Sequence, residues 1–244
     1  MIAENIEDIR ARIGQACHRA GRPISDVTLV AVSKTFPSAY IREAVAGGVV
    51  DIGENYVQEL VGKKEELSGM EIRWHFIGHL QSNKAKILAR WIHLVHAVDS
   101  LSLAREIDRH AATAGRRVDI LIEVNTTGES SKFGVDPAKA GELVHGVGAL
   151  SNVRASGLMT MGPFLPDPEG SRPMFRQLRM LRDELVSSGV AGTDFQHLSM
   201  GMTGDFEVAI EEGATIVRIG TAIFGSRKKR NAQTQTTSPG TEGL

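Results

Sequence analysis

Lys34 is the residue with the most chemistry to offer. It ends the apolar run Leu29-Val30-Ala31-Val32-Ser33, and Thr35, Phe36 and Pro37 stop that run just beyond it. A lysine at the carboxyl end of a buried strand is desolvated on one side and reachable on the other. Desolvation disfavours the ammonium form, and a free amine in a pocket can form a Schiff base with an aldehyde. The commonest aldehyde cofactor is pyridoxal 5′-phosphate (PLP). A strand-end lysine that only reaches water or pairs with a carboxylate is the plainer reading of this segment.

Arg218 is the second unusual residue, set inside Ile216-Val217-Arg218-Ile219. An arginine in an apolar strand must be paired or must face a polar ligand. Beside PLP it would hydrogen-bond the pyridine nitrogen, disfavour its protonation and weaken the ring as an electron sink. A buried pair with a carboxylate is the alternative. Ser199, Gly201 and Thr203, with Gly220 and Thr221, offer hydroxyls and approachable backbone for a phosphate, Thr203 at the expected start of a helix. The same residue types also make ordinary turns.

These residues need a frame that brings them together. Apolar runs at 28–34, 51–54, 72–78, 92–98, 118–124, 153–160, 195–199 and 215–219 read as strands, each followed by a helical pattern. Ile2, Ile6, Ile9, Ile13 and Cys17 share one face of an extra N-terminal helix. Ser38, Ser100 and Asp136-Pro137 read as helix starts, and 82–89 and 203–212 as helices. Eight strands alternating with helices predict a (β/α)8 TIM-type barrel, whose chemistry sits at the carboxyl ends of the strands. A doubly wound sheet would usually announce itself by a Gly-rich first turn, which Ser33-Lys34-Thr35-Phe36-Pro37 is not. Residues 1–227 read as one domain and 228–244 as a disordered polar tail. The basic run Arg227-Lys228-Lys229-Arg230 reads as a solvated end or a nucleic-acid patch.

Composition narrows the class. The chain has 244 residues, a net charge of −1 and 41% hydrophobic residues, so neither nucleic acid nor an anionic membrane is an expected standing partner. No apolar stretch approaches the ~18 residues of a membrane span. A single cysteine, Cys17, suits a reducing cytoplasm. No metal site is expected: His75 and His79 fall about 13 Å apart on a strand, and His93 and His96 on opposite faces of one.

The motifs together resemble the YggS-like pyridoxal phosphate homeostasis proteins. They are Val32-Ser33-Lys34, Gly53-Glu54-Asn55-Tyr56-Val57-Gln58-Glu59, the run Trp74 to Lys84, Glu129-Ser130-Ser131-Lys132-Phe133-Gly134, Gly157-Leu158-Met159-Thr160-Met161, Leu198-Ser199-Met200-Gly201-Met202 and Val217-Arg218-Ile219-Gly220. The resemblance covers about residues 5–226. It implies a fold-type III PLP-binding barrel similar to the N-terminal domain of alanine racemase. It implies Lys34 as the Schiff-base lysine, Ser199, Thr203, Gly220 and Thr221 at the phosphate, Arg218 at the pyridine nitrogen and Asn55 beside the cofactor. Thr203 stands where the family often has serine, which keeps the hydroxyl.

The family is implicated in intracellular PLP homeostasis, without an established reaction. The expectation is therefore a monomeric PLP carrier, with apo-PLP enzymes as recipients, rather than an enzyme. The related racemases use a second domain and a tyrosine opposite the lysine. This chain stops soon after strand eight, and its two tyrosines, Tyr40 and Tyr56, fall at helix starts. His79 is the best substitute base, or else a helix cap. The alternatives are an active fold-type III amino-acid racemase or lyase, and a phosphosugar barrel using Lys34 on its substrate. Loop 162–173, with four of the eight prolines, is either a lid or a stiff connection.

Overall fold

A computed structural model describes residues 1–129, 132–162 and 165–226. Eight parallel strands close into a barrel in sequence order: β1 Thr28–Val32, β2 Asp51–Glu54, β3 Arg73–Phe76, β4 Leu94–Val98, β5 Val118–Glu123, β6 Val153–Met159, β7 His197–Ser199 and β8 Ile216–Ile219. β8 returns to β1 with Val30 opposite Arg218, which closes the ring. The helices among the described residues are α1 Ile2–Arg19, α2 Ser38–Ala46, α3 Val57–Glu66, α4 Ala85–Leu88, α5 Leu101–Thr113, α6 Pro137–Gly148, α7 Arg172–Ser187, α8 Phe206–Glu211 and α9 Thr221–Phe224.

Two apolar regions result. Val30, Leu94, Ala97, Leu121, Met159 and Ile216 form a small cluster of their own, while a larger core packs strands against helices. The expected extra helix is α1. Its Ile2, Ile6, Ile9, Ile13 and Cys17 are buried, Asn5 Nδ2 donates to Ile223 O at 2.8 Å, and Arg12 pairs with Glu207 at 2.9 Å.

Element ends differ from the sequence reading where local hydrogen bonds intervene. Lys34 lies beyond β1, in a turn closed by Phe36 N–H donating to Ser33 O at 3.0 Å. Pro37 rather than Ser38 holds the cap position of α2. Residues 82–84 form a 3-10 turn ahead of α4. Thr203 does not open a helix: Asp205 Oδ1 accepts from Met202 N at 2.7 Å, and α8 begins only at Phe206. Ser100 and Asp136 cap their helices as expected. The expected tail 228–244, the boundary at 227 and the run Arg227–Arg230 lie outside the described residues. So do Ser130 and Ser131 of one motif and Pro163 of loop 162–173.

Candidate functional site

The carboxyl ends of the strands surround a cavity of about 290 Å³. Lys34, Asn55, Thr203, Arg218, Gly220 and Thr221 line it, with Val32, Phe36, Ile77, Met161, Leu165 and Met202 as apolar walls and Gly204 and Asp205 at one side. Six of the eight residues singled out in the sequence therefore meet in one place.

Ser199 and Gly201 do not line the cavity. The Ser199 hydroxyl is fully buried and already engaged, 2.6 Å from Arg218 Nη1 and 2.8 Å from His96 Nδ1. Gly201 has φ +90°, and a Cβ there would come within 2.6 Å of Ala209 Cβ, so packing against α8 requires its glycine. A second obligatory glycine is Gly78, where a Cβ would stand 2.3 Å from Asn55 O. That approach seats Asn55 against the β3 end. Asn55 Oδ1 is buried and has no hydrogen-bond partner among the described residues. Such an orphan costs about 1–3 kcal/mol unless a ligand meets it.

The turn carrying Lys34 is held from both sides. Lys63 on α3 is buried, and its Nζ donates to Ser33 O at 2.7 Å, Glu54 Oε1 at 2.6 Å and Glu59 Oε1 at 2.7 Å. Ser33 Oγ donates to Glu54 Oε1 at 2.5 Å, and Glu59 Oε1 accepts from Thr35 N at 2.6 Å. Thr35 sits at φ +68°, a costly backbone conformation for a β-branched residue. Burial pushes the Glu54 carboxyl above its ordinary range, and the Lys63 ammonium pulls against that. The sequence reading gives Lys63 no role and includes Glu59 only as the end of a family motif. Their only signal is i, i+4 spacing on α3, which usually marks a surface pair.

Arg218 is buried, and its partners among the described residues are a hydroxyl and a carbonyl rather than a carboxylate: Ser199 Oγ, and Thr160 O at 2.9 Å from Nη2. Burial lowers its pKa to about 10, against the pull of Glu123 and Asp205. Glu123, at the end of β5, is buried with Oε2 unpartnered. Burial and the Asp99 charge raise its carboxyl to about 7, and Arg218 opposes them.

Other candidates lie elsewhere. Tyr40, Tyr56 and His79 do not line the cavity; the His79 ring stacks on Phe133 at 4.4 Å. His93 and His96 were expected on opposite faces of one strand, yet both rings pack 5.2 Å from His75. His93 precedes β4, and the β4–β5 register shifts between Val95 and Val98. Asp51, His75 and His93 bring ligand atoms within 4.8 Å of one another, a grouping the spacing did not suggest.

Comparison with known proteins adds an independent line. The family model described as "Alanine racemase, N-terminal domain" matches residues 2–228. The chain is 48% identical over 225 residues to the pyridoxal phosphate homeostasis protein of Aquifex aeolicus, covering 92% of this chain and 98% of the relative. It superimposes on PipY of Synechococcus elongatus, solved with PLP bound, at a TM-score of 0.80 and 35% identity, covering 92% and 100% of the two chains. Alanine racemase of Clostridium difficile shares the fold at a TM-score of 0.70 and 14% identity, over 94% of this chain and 57% of that one.

Two outcomes are expected from these electrostatics. Lys63→Met leaves two carboxylates without their cation and should lower unfolding free energy by about 3–5 kcal/mol in urea titrations. A loss below about 1 kcal/mol would show that the clamp does not hold the turn. For Glu123 the folded pKa lies above the unfolded one. Its stabilising contribution is full below about 4.5 and lost as pH rises through about 7. Glu123→Gln should remove that slope, worth on the order of 3 kcal/mol, and gain stability at alkaline pH. Parallel pH–stability curves for the two proteins would contradict it.

Proposed function

The chain belongs to the family of pyridoxal phosphate homeostasis proteins, built on the alanine racemase N-terminal domain, and on that premise we propose that its barrel binds PLP and keeps the cofactor in a retrievable form. The observation that carries this reading is the convergence of Lys34, the buried Arg218, Thr203, Thr221 and Asn55 on one cavity. Each answers a group of PLP. Lys34 would hold the aldehyde carbon as a Schiff base. Thr203 and Thr221, whose hydroxyls lie 3.2 Å apart, would bind the phosphate with the backbone of Gly204 and Gly220. Arg218 would face the ring nitrogen, and Asn55 the polar edge of the ring. Bound PLP supplies an electrophilic aldehyde and an electron-withdrawing ring.

Storage rather than turnover is the reading these residues favour. A guanidinium at the ring nitrogen disfavours the protonated ring on which carbanion chemistry draws. No tyrosine lines the cavity to serve as a second base. The curated relatives are named for homeostasis and not for a reaction. We extend the reading to a cytoplasmic monomer that supplies apo-PLP enzymes. Its one cysteine, Cys17, is free and buried, as suits a reducing compartment. Among the described residues no helix is long and apolar enough to cross a membrane.

Lys34→Ala should lose the borohydride-sensitive visible absorption of the PLP-loaded protein while its far-ultraviolet circular dichroism is unchanged. Retention of a stoichiometric, reducible chromophore would assign the tether to another lysine, Lys84 or Lys132 first. Thr203→Ala and Thr221→Ala should each weaken PLP by about 1.5–3 kcal/mol and pyridoxal far less, since only PLP carries the anion. Equal losses for both ligands, measured by equilibrium dialysis, would place the phosphate elsewhere.

A further inference from the structure

Five buried side chains cross the barrel in one line. Arg218 Nη1 donates to Ser199 Oγ at 2.6 Å, and Ser199 Oγ lies 2.8 Å from His96 Nδ1. His96 Nε2 lies 2.9 Å from His75 Nδ1, and His75 Nε2 lies 2.9 Å from Asp51 Oδ1. Arg218 lines the cavity at the carboxyl ends of the strands, whereas Asp51 is the first residue of β2. There the half-exposed Arg73 holds Asp51 through both oxygens, at 2.7 and 2.5 Å. The line thus runs from one end of the barrel to the other.

Proton counting orients it. Burial raises the Asp51 carboxyl, but hydrogen bonds from His75 and Arg73 outweigh this and leave it at about 2. A carboxylate only accepts, so His75 donates through Nε2. Its Nδ1 is then an acceptor when the ring is neutral, and His96 must donate to it through Nε2. Burial keeps His96 neutral, so its Nδ1 accepts the Ser199 hydroxyl proton. The Ser199 lone pairs are left for Arg218. With both imidazoles neutral, every bond points from Arg218 towards Asp51. The same pairing accounts for the Asp51–His75–His93 cluster without a cation, because Arg73 and His75 already occupy the Asp51 oxygens and both His75 nitrogens are engaged.

We propose that Asp51, His75, His96 and Ser199 are positioning residues for Arg218. Anchored at the Asp51 carboxylate, the chain fixes Ser199 Oγ as an acceptor. Together with Thr160 O it locks the guanidinium, whose remaining N–H groups then serve a ring nitrogen in the cavity. Asp51 thereby acts on a ligand it does not touch. This deepens, and rests on, the reading that the cavity takes PLP with Arg218 at the ring nitrogen.

Two measurements test it, and the first needs no ligand. In protein with 15N-labelled histidine, the side-chain nitrogen shifts should show His75 and His96 both neutral with the proton on Nε2. A proton on His96 Nδ1, or an imidazolium at His75, reverses the chain and overturns the proposal. The second uses PLP and its 1-deaza analogue, in which carbon replaces the ring nitrogen. Wild type should prefer PLP. In His96→Phe the preference should fall roughly tenfold, about 1.4 kcal/mol. His96→Asn, whose Oδ1 can take the place of Nδ1, should restore it. A merely structural role would lower both affinities equally and leave the ratio unchanged, which refutes positioning. If His96→Phe does not fold, the wild-type tautomers decide. If wild type binds neither ligand, the PLP reading fails, and the histidine shifts still judge the chain on their own.

Discussion

One buried ammonium holds the site in shape. Lys63 Nζ lies between Glu54, Glu59 and the carbonyl of Ser33. Through them it fixes the residues on either side of Lys34. A buried charge is tolerated only when paired and hydrogen-bonded, and here all three of its donors are used. The clamp also explains how Thr35 tolerates a left-handed backbone that costs of order 1–3 kcal/mol. Glu59 takes its N–H, so the turn projects Lys34 towards the cavity instead of relaxing into a continued strand. The amine is presented by interactions that Lys63 makes from α3, and Lys63 is not among the residues lining the cavity.

A second constraint operates inside the barrel. Arg218 is buried among a hydroxyl, a carbonyl and apolar neighbours, with Glu123 acting on it through space. A guanidinium remains a donor at any physiological pH, even with its pKa near 10. Whatever stands against it must accept a hydrogen bond. On the proposed reading, with a PLP ring nitrogen in that place, the ring would stay unprotonated and be a weaker electron sink. The two buried networks meet the cavity from different sides: the Lys63 clamp holds the turn that carries Lys34, and the Asp51-to-Arg218 line holds the guanidinium.

Much of this was legible in the chain because it depends on local pattern. Eight apolar runs separated by helical periodicity define the barrel, and strand-end residues such as Lys34, Asn55 and Thr221 follow from that frame. Arg218 was visible because its charge breaks an apolar run. Ser199 is expected at the phosphate, yet its hydroxyl turns to His96 and Arg218, partners 103 and 19 residues away. Sequence pattern points to Gly201 for close approach to a ligand, whereas in the fold it makes room for α8. The Lys63 clamp joins residues 30 apart in sequence, and the histidine line joins residues from five strands. Spacing carries no trace of such pairings, because the closure of the barrel creates them. Helix ends depart from the sequence pattern for a similar reason: Asp205 folds back on Met202 and delays α8, which removes Thr203 from the helix start.

The central claim is that Lys34 tethers PLP in this cavity. Its most direct test is mass mapping of peptides from PLP-loaded protein after borohydride reduction, which makes the attachment permanent. The account expects one pyridoxyl group per chain, on the peptide containing Lys34 and on no other. Stoichiometric label on Lys84, Lys132 or Lys63, with Lys34 unmodified, would contradict it.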